Sequence, residues 1–251
     1  MISLYGCGFV GRNFKQMYNA EVEVQERNER VPHHNDILYM ISTTHNYHVH
    51  DEITRDVDTN LQVLCETLDY CRSKDITFNF VSSWFVYGQG GSIPASEVSL
   101  CNPTGFYSIT KKCAEDLIIS FAQTTGMKYR ILRLCNVMGD GDTKASRKKN
   151  AIQWMINELK ADRDIKVYDN GSHRRDIMHV DDVCRAIKLV MDNGEVNEIY
   201  NIGSGKPTRV SEIVELAKHL TRSRGNIINI EPPEFHNNVQ TQHFWLDTTK
   251  L

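Results

Sequence analysis

Apolar positions along this chain switch repeatedly between a period near two and a period near 3.6. Residues 2–5 are a short apolar run that ends in glycines, the pattern of a buried strand entering a turn. Residues 9–18 read as a helix, and Val22 and Val24 alternate with charges as a second strand. After Asn35-Asp36, the run Ile37-Leu38-Tyr39-Met40-Ile41 has the length of a strand. Residues 57–73 carry Leu61, Leu64, Leu68 and Cys71 at helical spacing, and Ile76 to Val81 is the next strand. A long helix over 105–125 places Leu117, Ile118, Phe121 and Ala122 on its apolar side, and a strand over 129–134 follows. This β-α-β rhythm predicts an α/β fold, a doubly wound parallel sheet with helices on both faces.

After Gly139 the rhythm loosens. Helices over 150–161, 181–192 and 210–222 are interspersed with strands over 165–168, 198–202 and 227–230. The expected layout is a dinucleotide-binding domain over 1–140, rejoined by about 176–202. A small interleaved C-terminal region, 141–175 and 203–251, would bind substrate.

The turn after the first strand supplies the first chemistry. Gly6-Cys7-Gly8-Phe9-Val10-Gly11 is a G-x-G-x-x-G loop between a strand and a helix, the context in which this pattern binds a dinucleotide on a Rossmann-type sheet. The first glycine permits the turn, the second lets the backbone approach a pyrophosphate, and the third lets helix and strand pack closely. The helix start then offers free N–H groups and a partial positive charge to the phosphates. Glu26 and Arg27 fall near the end of the second strand, where the adenosine ribose is read. An acid there favours NAD and an arginine favours NADP, so the choice between the two cofactors stays open.

The second pattern is Tyr107-Ser108-Ile109-Thr110-Lys111. A phenol and an ammonium four residues apart share one helix face. A free tyrosine, with a pKa of about 10, is a poor base at neutral pH. The charges of Lys111 and of a nicotinamide are expected to favour the phenolate, which can accept a hydroxyl proton while hydride leaves the carbon. Ser82 and Ser83 end an apolar strand at the carboxyl edge, where such sheets bind ligands, and supply a hydroxyl for the substrate oxygen. Alone, Y-x-x-x-K describes many surface helices; with the glycine loop and the Ser-Ser strand end in order, it describes a site.

Composition narrows the setting. The chain has 251 residues with a formal net charge of −3, which gives no reason to expect a nucleic-acid partner. No stretch approaches the ~18 apolar residues of a membrane span, and Met1 to Tyr5 lacks the features of a signal peptide, so no membrane partner and a cytoplasmic location are expected. The seven cysteines contain no C-x-x-C pair and read as reduced, mostly buried thiols. The histidines crowded at His33, His34, His45, His48 and His50 lack the spacing of a metal site and read as loop residues. Arg147-Lys148-Lys149 is either a solvated helix start or a phosphate-steering cluster.

Together these residues resemble the extended short-chain dehydrogenase/reductase superfamily, in its NAD-dependent nucleotide-sugar epimerase/dehydratase branch, over nearly the whole chain. The resemblance rests on Gly6 to Gly11, Asp58-Thr59-Asn60-Leu61, Val81 to Gly88, Tyr107 to Lys111, Arg133 to Gly139, Arg175 to Asp182 and Tyr200 to Gly205. It implies that Ser83 is the catalytic hydroxyl, that Tyr107 is the general acid or base, and that Lys111 orients the ribose and tunes Tyr107. It further implies that Gly6, Gly8, Phe9, Val10, Gly11, Glu26, Arg27, Ser42 and Thr43 join Tyr107 and Lys111 in holding NAD or NADP. Ser83, Asn136 and Arg175 would contact a nucleotide-diphosphate sugar. Arg175 suits that role because its guanidinium can grip phosphate oxygens in two places, although it could instead pair with Asp176. Asn60 either supports the site or caps its helix. A homodimer built on helices 57–73 and 105–125 is the expected assembly, unless the sheet takes up their apolar faces.

Three departures shape the expected function. Trp84 and Phe85 stand where sugar 4,6-dehydratases of this family carry an Asp-Glu pair, and two apolar rings cannot perform that acid–base work. The stretch between the second strand and Ile37 is too short for the strand–helix unit the family usually has there, so a narrower sheet is expected. The chain stops at Asp247 to Leu251, a motif usually followed by further residues, which suits either a piece or a trimmed version. The leading expectation is a C4 epimerase using transient hydride transfer. A 4-keto-sugar reductase and a non-catalytic dinucleotide-binding scaffold are the alternatives.

Overall fold

A computed structural model of the chain describes residues 1–239 and 243–251. Gln240, Thr241 and Gln242, which fall in the expected substrate region 203–251, lie outside the described residues. The central sheet is built from β1 (Ile2–Tyr5), β2 (Val22–Val24), β3 (Asp36–Tyr39), β4 (Thr77–Ser83) and β5 (Lys128–Leu134). Four short strands follow, β6 (Asn136–Met138), β7 (Ile165–Tyr168), β8 (Arg174–Arg175) and β9 (Ile177–His179). The chain then forms β10 (Glu198–Ile202), β11 (Thr208–Arg209) and β12 (Ile227–Ile230). The six strands of the main sheet run in the order β10-β5-β4-β3-β1-β2, and every pairing is parallel.

Both faces of this sheet are covered, which is why its strands read as nearly continuous apolar runs. On one face Ile2, Leu4, Val22 and Ile202 pack with Phe14 of the helix Phe9–Met17 and with Val183, Ile187 and Val190 of the helix Val180–Asn193. On the other, Tyr5, Tyr39, Phe78 and Phe80 pack with Leu64, Leu68, Ala114, Ile118 and Ala122. The sheet therefore takes up the apolar side of the helix Phe106–Thr125. A separate small core lies beside it, where the helices Ala151–Lys160 and Val210–Thr221 enclose the parallel pair β7–β12.

The structure departs from the sequence reading in one place that bears on the site. The expected helix over 57–73 is broken: Asp58–Gln62 is a π-helical turn, and the helix after it ends at Leu68. The wider turn swings Asn60 inward, to 2% exposure. The short stretch from β2 to β3, by contrast, is as the sequence reads. The chain passes from one side of β1 to the other through residues 25–35 without a helix, so β2 is the edge of the sheet. That edge is blunted by Glu23, which bonds His33 Nδ1 and His34 Nε2 at 2.7 Å each. The thiols also differ from expectation: Cys71, Cys135 and Cys184 are buried, whereas Cys7 and Cys65 are exposed, the first in the glycine loop and the second on an outward helix face.

Candidate active site

The parallel sheet brings the glycine loop, the end of β4 and the start of the helix Phe106–Thr125 to one edge. Ser83 is the last residue of β4, and its Oγ accepts the Phe85 backbone N–H at 3.3 Å. Tyr107 lies in the first turn of the helix and is hydrogen-bonded to Ser83. One turn on, Lys111 is 2% exposed; its Nζ donates to the Val81 carbonyl at 2.6 Å and lies 3.9 Å from the centre of the Phe80 ring. Ser83, Tyr107 and Lys111 are thus gathered against one strand end.

The electrostatics of the protein groups alone oppose charge on both Tyr107 and Lys111. Burial pushes the Tyr107 phenol up to about 12; the Ser83 bond opposes this and the Asp56 carboxylate adds to it. Burial pushes the Lys111 ammonium down to about 7, against the pull of Glu115. Both groups lose more solvation than their neighbours restore, so burial works against charge on each. Lys111 is turned toward the Val81 carbonyl at the strand end.

Asn60 is the joint behind the site. Its Oδ1 accepts from Thr43 N at 2.7 Å and Ser42 Oγ at 3.1 Å, while its Nδ2 donates to Thr43 Oγ1 and Thr110 Oγ1 at 2.9 Å each. It therefore ties the loop after β3 to the helix residue beside Lys111, and its bonds are not those of a helix cap. Asp56, fully buried, receives bonds from Thr43 Oγ1 and from His48 Nδ1. His48 is itself buried, contrary to the surface-loop reading of the histidine cluster. Asp56 and Thr110 were not singled out from sequence; the available signal was their placement, four residues before Asn60 and one before Lys111.

The glycine loop fits a dinucleotide. Gly6 has φ +92°, and a Cβ there would meet Ile41 N at 2.7 Å; a Cβ on Gly11 would meet Gly6 O at 2.4 Å. A Cβ on Gly8 would meet nothing within 4 Å, so open space faces the residue that must admit a pyrophosphate. The helix Phe9–Met17 has no side-chain cap and no acid in its first turn, leaving N–H donors for an anion. Phe9 and Val10 are half-buried at that start, and Ser42 and Thr43 follow β3 at the same sheet edge. Glu26 and Arg27 are both exposed, whereas the residue before them, Gln25, is buried with neither side-chain polar atom partnered.

A cavity opens beyond Trp84 and Phe85. Asn136, Arg147, Lys148, Lys166, Tyr168, His173, Arg175 and His236 are among its lining residues, and none of the described lining residues is acidic. Trp84 and Phe85 stack at 4.1 Å, and the Phe85 ring meets the Tyr107 ring edge-on at 5.9 Å, so the cavity ends beside the phenol. Arg175 is buried, with its guanidinium 5.8 Å from the centre of the Trp84 ring. Asp176 is engaged elsewhere, by Ser204 N and Oγ and by Gly205 N. Burial above all, with smaller contributions from Arg175 and His173, pushes His236 down to about 4. The Asn136 amide is already used, donating to the Asp176 carbonyl at 2.9 Å. Of the basic run, Arg147 and Lys148 reach the cavity, Lys148 also pairing with Asp51 at 2.9 Å, while Lys149 pairs with Asp142 at 3.5 Å.

The parallel sheet and its glycine loop define the class, an NAD(P)-dependent enzyme of the short-chain dehydrogenase/reductase type. Within it, the chain belongs to the NAD dependent epimerase/dehydratase family, whose profile matches residues 8–203. It is 28% identical over 225 residues to a Methanocaldococcus jannaschii protein assigned provisionally as a UDP-glucose 4-epimerase, covering 87% of this chain and 72% of that one. It is 25% identical over 245 residues to a GDP-6-deoxy-D-mannose reductase of Pseudomonas aeruginosa, covering 88% and 80%. Two further relatives are matched over 61% and 26% of their length. The fold superposes on the UDP-glucose 4-epimerase of Thermotoga maritima, solved with UDP-glucose, with a TM-score of 0.87 at 23% identity, covering 99% and 90% of the two chains. No helix among the described residues is long and apolar enough to cross a membrane.

Proposed function

We propose that this chain is a nucleotide-sugar epimerase acting at C4, with Ser83, Tyr107 and Lys111 as its working residues. The observation that carries the reading is the acid-free, four-cation cavity that ends on Phe85 against Tyr107. Arg175, Arg147, Lys148 and Lys166 suit a diphosphate, and the Trp84–Phe85 stack leaves no carboxyl to eliminate water. We assign the dinucleotide to residues 1–140 with 176–202 and the sugar nucleotide mainly to 141–175 and 203–251.

Ser83 Oγ holds the reacting hydroxyl, and Tyr107 Oη takes its proton as the carbon is oxidised to a ketone. A nicotinamide dinucleotide, when bound to the glycine loop, accepts the hydride and also supplies positive charge near the phenol. After the keto-sugar turns over, the hydride returns to its opposite face and Tyr107 gives the proton back, so the hydroxyl is inverted with no net redox change. Lys111 moves from the Val81 carbonyl toward the ribose hydroxyls and steadies the phenolate. The same residues suit a second reading, reduction of a 4-keto-sugar nucleotide by NADPH, which the absence of a buried acid at the end of β2 favours.

The test is a panel of nucleotide-diphosphate hexoses and their 4-keto forms, assayed for isomer formation and for consumption of reduced cofactor. Isomer formation without net cofactor use, abolished in Tyr107→Phe while dinucleotide binding persists, supports the epimerase. Stoichiometric NADPH loss moves the assignment to the reductase, and full turnover in Tyr107→Phe refutes both.

A further inference from the structure

The two-stranded ribbon β8–β11 has two faces, and only one of them belongs to the cavity beside Tyr107. Side chains alternate across a strand, so His173, Arg175 and Val210 line that cavity, whereas Ser172, Arg174, Arg209 and Ser211 line a separate open groove of about 530 Å³ on the other side. The strands pair antiparallel with Arg209 directly opposite Arg174. Directly opposed residues on one face stand about 5 Å apart at Cβ, and like charges placed so repel each other.

No described side chain offsets that repulsion. Neither arginine forms an ion pair among the described residues, and none of the groove's described lining residues is acidic. The carboxylates close along the chain are engaged elsewhere. Glu212 accepts the Arg209 backbone N–H at 3.2 Å, Asp169 pairs with His173 at 3.1 Å, and Asp176 is held by Ser204 and Gly205. Gly171, at φ +67°, lets the turn before Ser172 close on Ser211: a Cβ there would meet Ser211 N at 2.7 Å. The groove thus presents two guanidinium forks, two hydroxyls and no fixed negative charge, with Ile93 and Trp245 as its apolar side. A phosphate dianion can accept from both forks at once, which turns the repelling pair into a bridged one. A carboxylate, with one charge and two oxygens, leaves part of the pair uncompensated.

We infer that the outer face of the β8–β11 ribbon is an anion site of its own, which takes the phosphate group of a small phosphate ester between Arg174 and Arg209. The sugar or base ring of the ester rests against Trp245, whose indole offers an apolar face. The site is separate from Arg175, which faces the opposite side of the same ribbon, and it does not depend on the epimerase or reductase reading.

The experiment titrates the full chain with inorganic phosphate, a hexose 1-phosphate and a nucleoside 5′-monophosphate at constant ionic strength, and reads affinity from the rise in melting temperature. Wild type and Arg175→Met, which disables the cavity on the other side, are compared with the same two proteins carrying Arg174→Gln or Arg209→Gln. Arg175→Met is expected to keep a response to phosphate. Adding either glutamine should weaken that response at least about tenfold, the worth of a charge-assisted hydrogen bond. Without phosphate, each glutamine variant should melt no lower than its parent, because the like-charged pair is gone. An ester that binds more tightly than inorganic phosphate supports the ring on Trp245; equal binding assigns the site to free phosphate and overturns that part. A response that vanishes in Arg175→Met belongs to the cavity and overturns the inference. So does a response that survives unchanged in both glutamine variants, or a chain that responds to none of the three probes.

Discussion

Replacing Lys111 by methionine should make the ligand-free protein more stable while removing its activity. The ammonium is buried, and its pKa falls from 10.5 to about 7. One pKa unit corresponds to about 1.4 kcal/mol, so holding the charged form in the folded protein costs up to about 5 kcal/mol below pH 7. Methionine fills similar volume without charge but forfeits the bond to the Val81 carbonyl, worth about 1 kcal/mol. A net gain of about 3–4 kcal/mol follows at pH 6, or roughly 10 °C in melting temperature for a chain of this size. Between about pH 7 and 10.5 the unfolded chain binds the proton that the folded chain has released. Wild-type stability therefore rises with pH in this window, and its deficit shrinks by about 1.4 kcal/mol per pH unit. Chemical denaturation of both proteins at pH 6, 8 and 10 measures this directly. A variant no more stable than the wild type at pH 6, or a gap that stays flat to pH 10, would refute the reasoning.

Other perturbations separate the roles of the remaining residues. Asn60→Ala removes the acceptor of the buried Thr43 N–H and of Ser42 Oγ and a donor to Thr43 Oγ1 and Thr110 Oγ1, and should cost about 2–4 kcal/mol in urea denaturation, with dinucleotide affinity falling in parallel. Gly11→Ala puts a methyl 2.4 Å from the Gly6 carbonyl and should abolish dinucleotide binding in calorimetry while the far-ultraviolet dichroism keeps its shape. Arg175→Met should raise KM for a nucleotide-diphosphate sugar by about 10- to 100-fold, the worth of a charge-assisted hydrogen bond, and leave dinucleotide affinity unchanged. In turnover assays, Tyr107→Phe should fall to background at every pH.

Much of the fold was legible because period and burial agree. β1, β3, β4 and β5 are covered on both faces, so they read as apolar runs, and the helices between them carry one apolar stripe each. Tyr107 and Lys111 were legible from spacing along one helix, and the glycine loop from its place between strand and helix. The break at Asp58–Gln62 was not, because apolar residues kept helical spacing on either side; what opens the turn is Asn60, whose partners lie in the loop after β3 and on another helix. The burial of His48 was hidden for the same reason, since its partner Asp56 is fixed by tertiary packing. At the end of β2 the strand stops at Val24, and the buried side chain that follows is Gln25, with Glu26 exposed.

The polar groups whose burial is costly in this fold point the same way. Lys111 is buried beside a carbonyl at a cost to its charge, and Tyr107 is held neutral, both along the edge to which the glycine loop belongs. A fold that kept these groups for stability alone would be better served by apolar side chains of the same size. Their retention makes sense if a bound ligand supplies the missing partners. Ribose hydroxyls would take up the Lys111 donor, and a positive ring beside Tyr107 would bring its phenol within reach of neutral pH. The cost of burying these groups is then the counterpart of affinity for a dinucleotide. The residues that stabilise the protein when replaced should be the ones whose loss weakens binding.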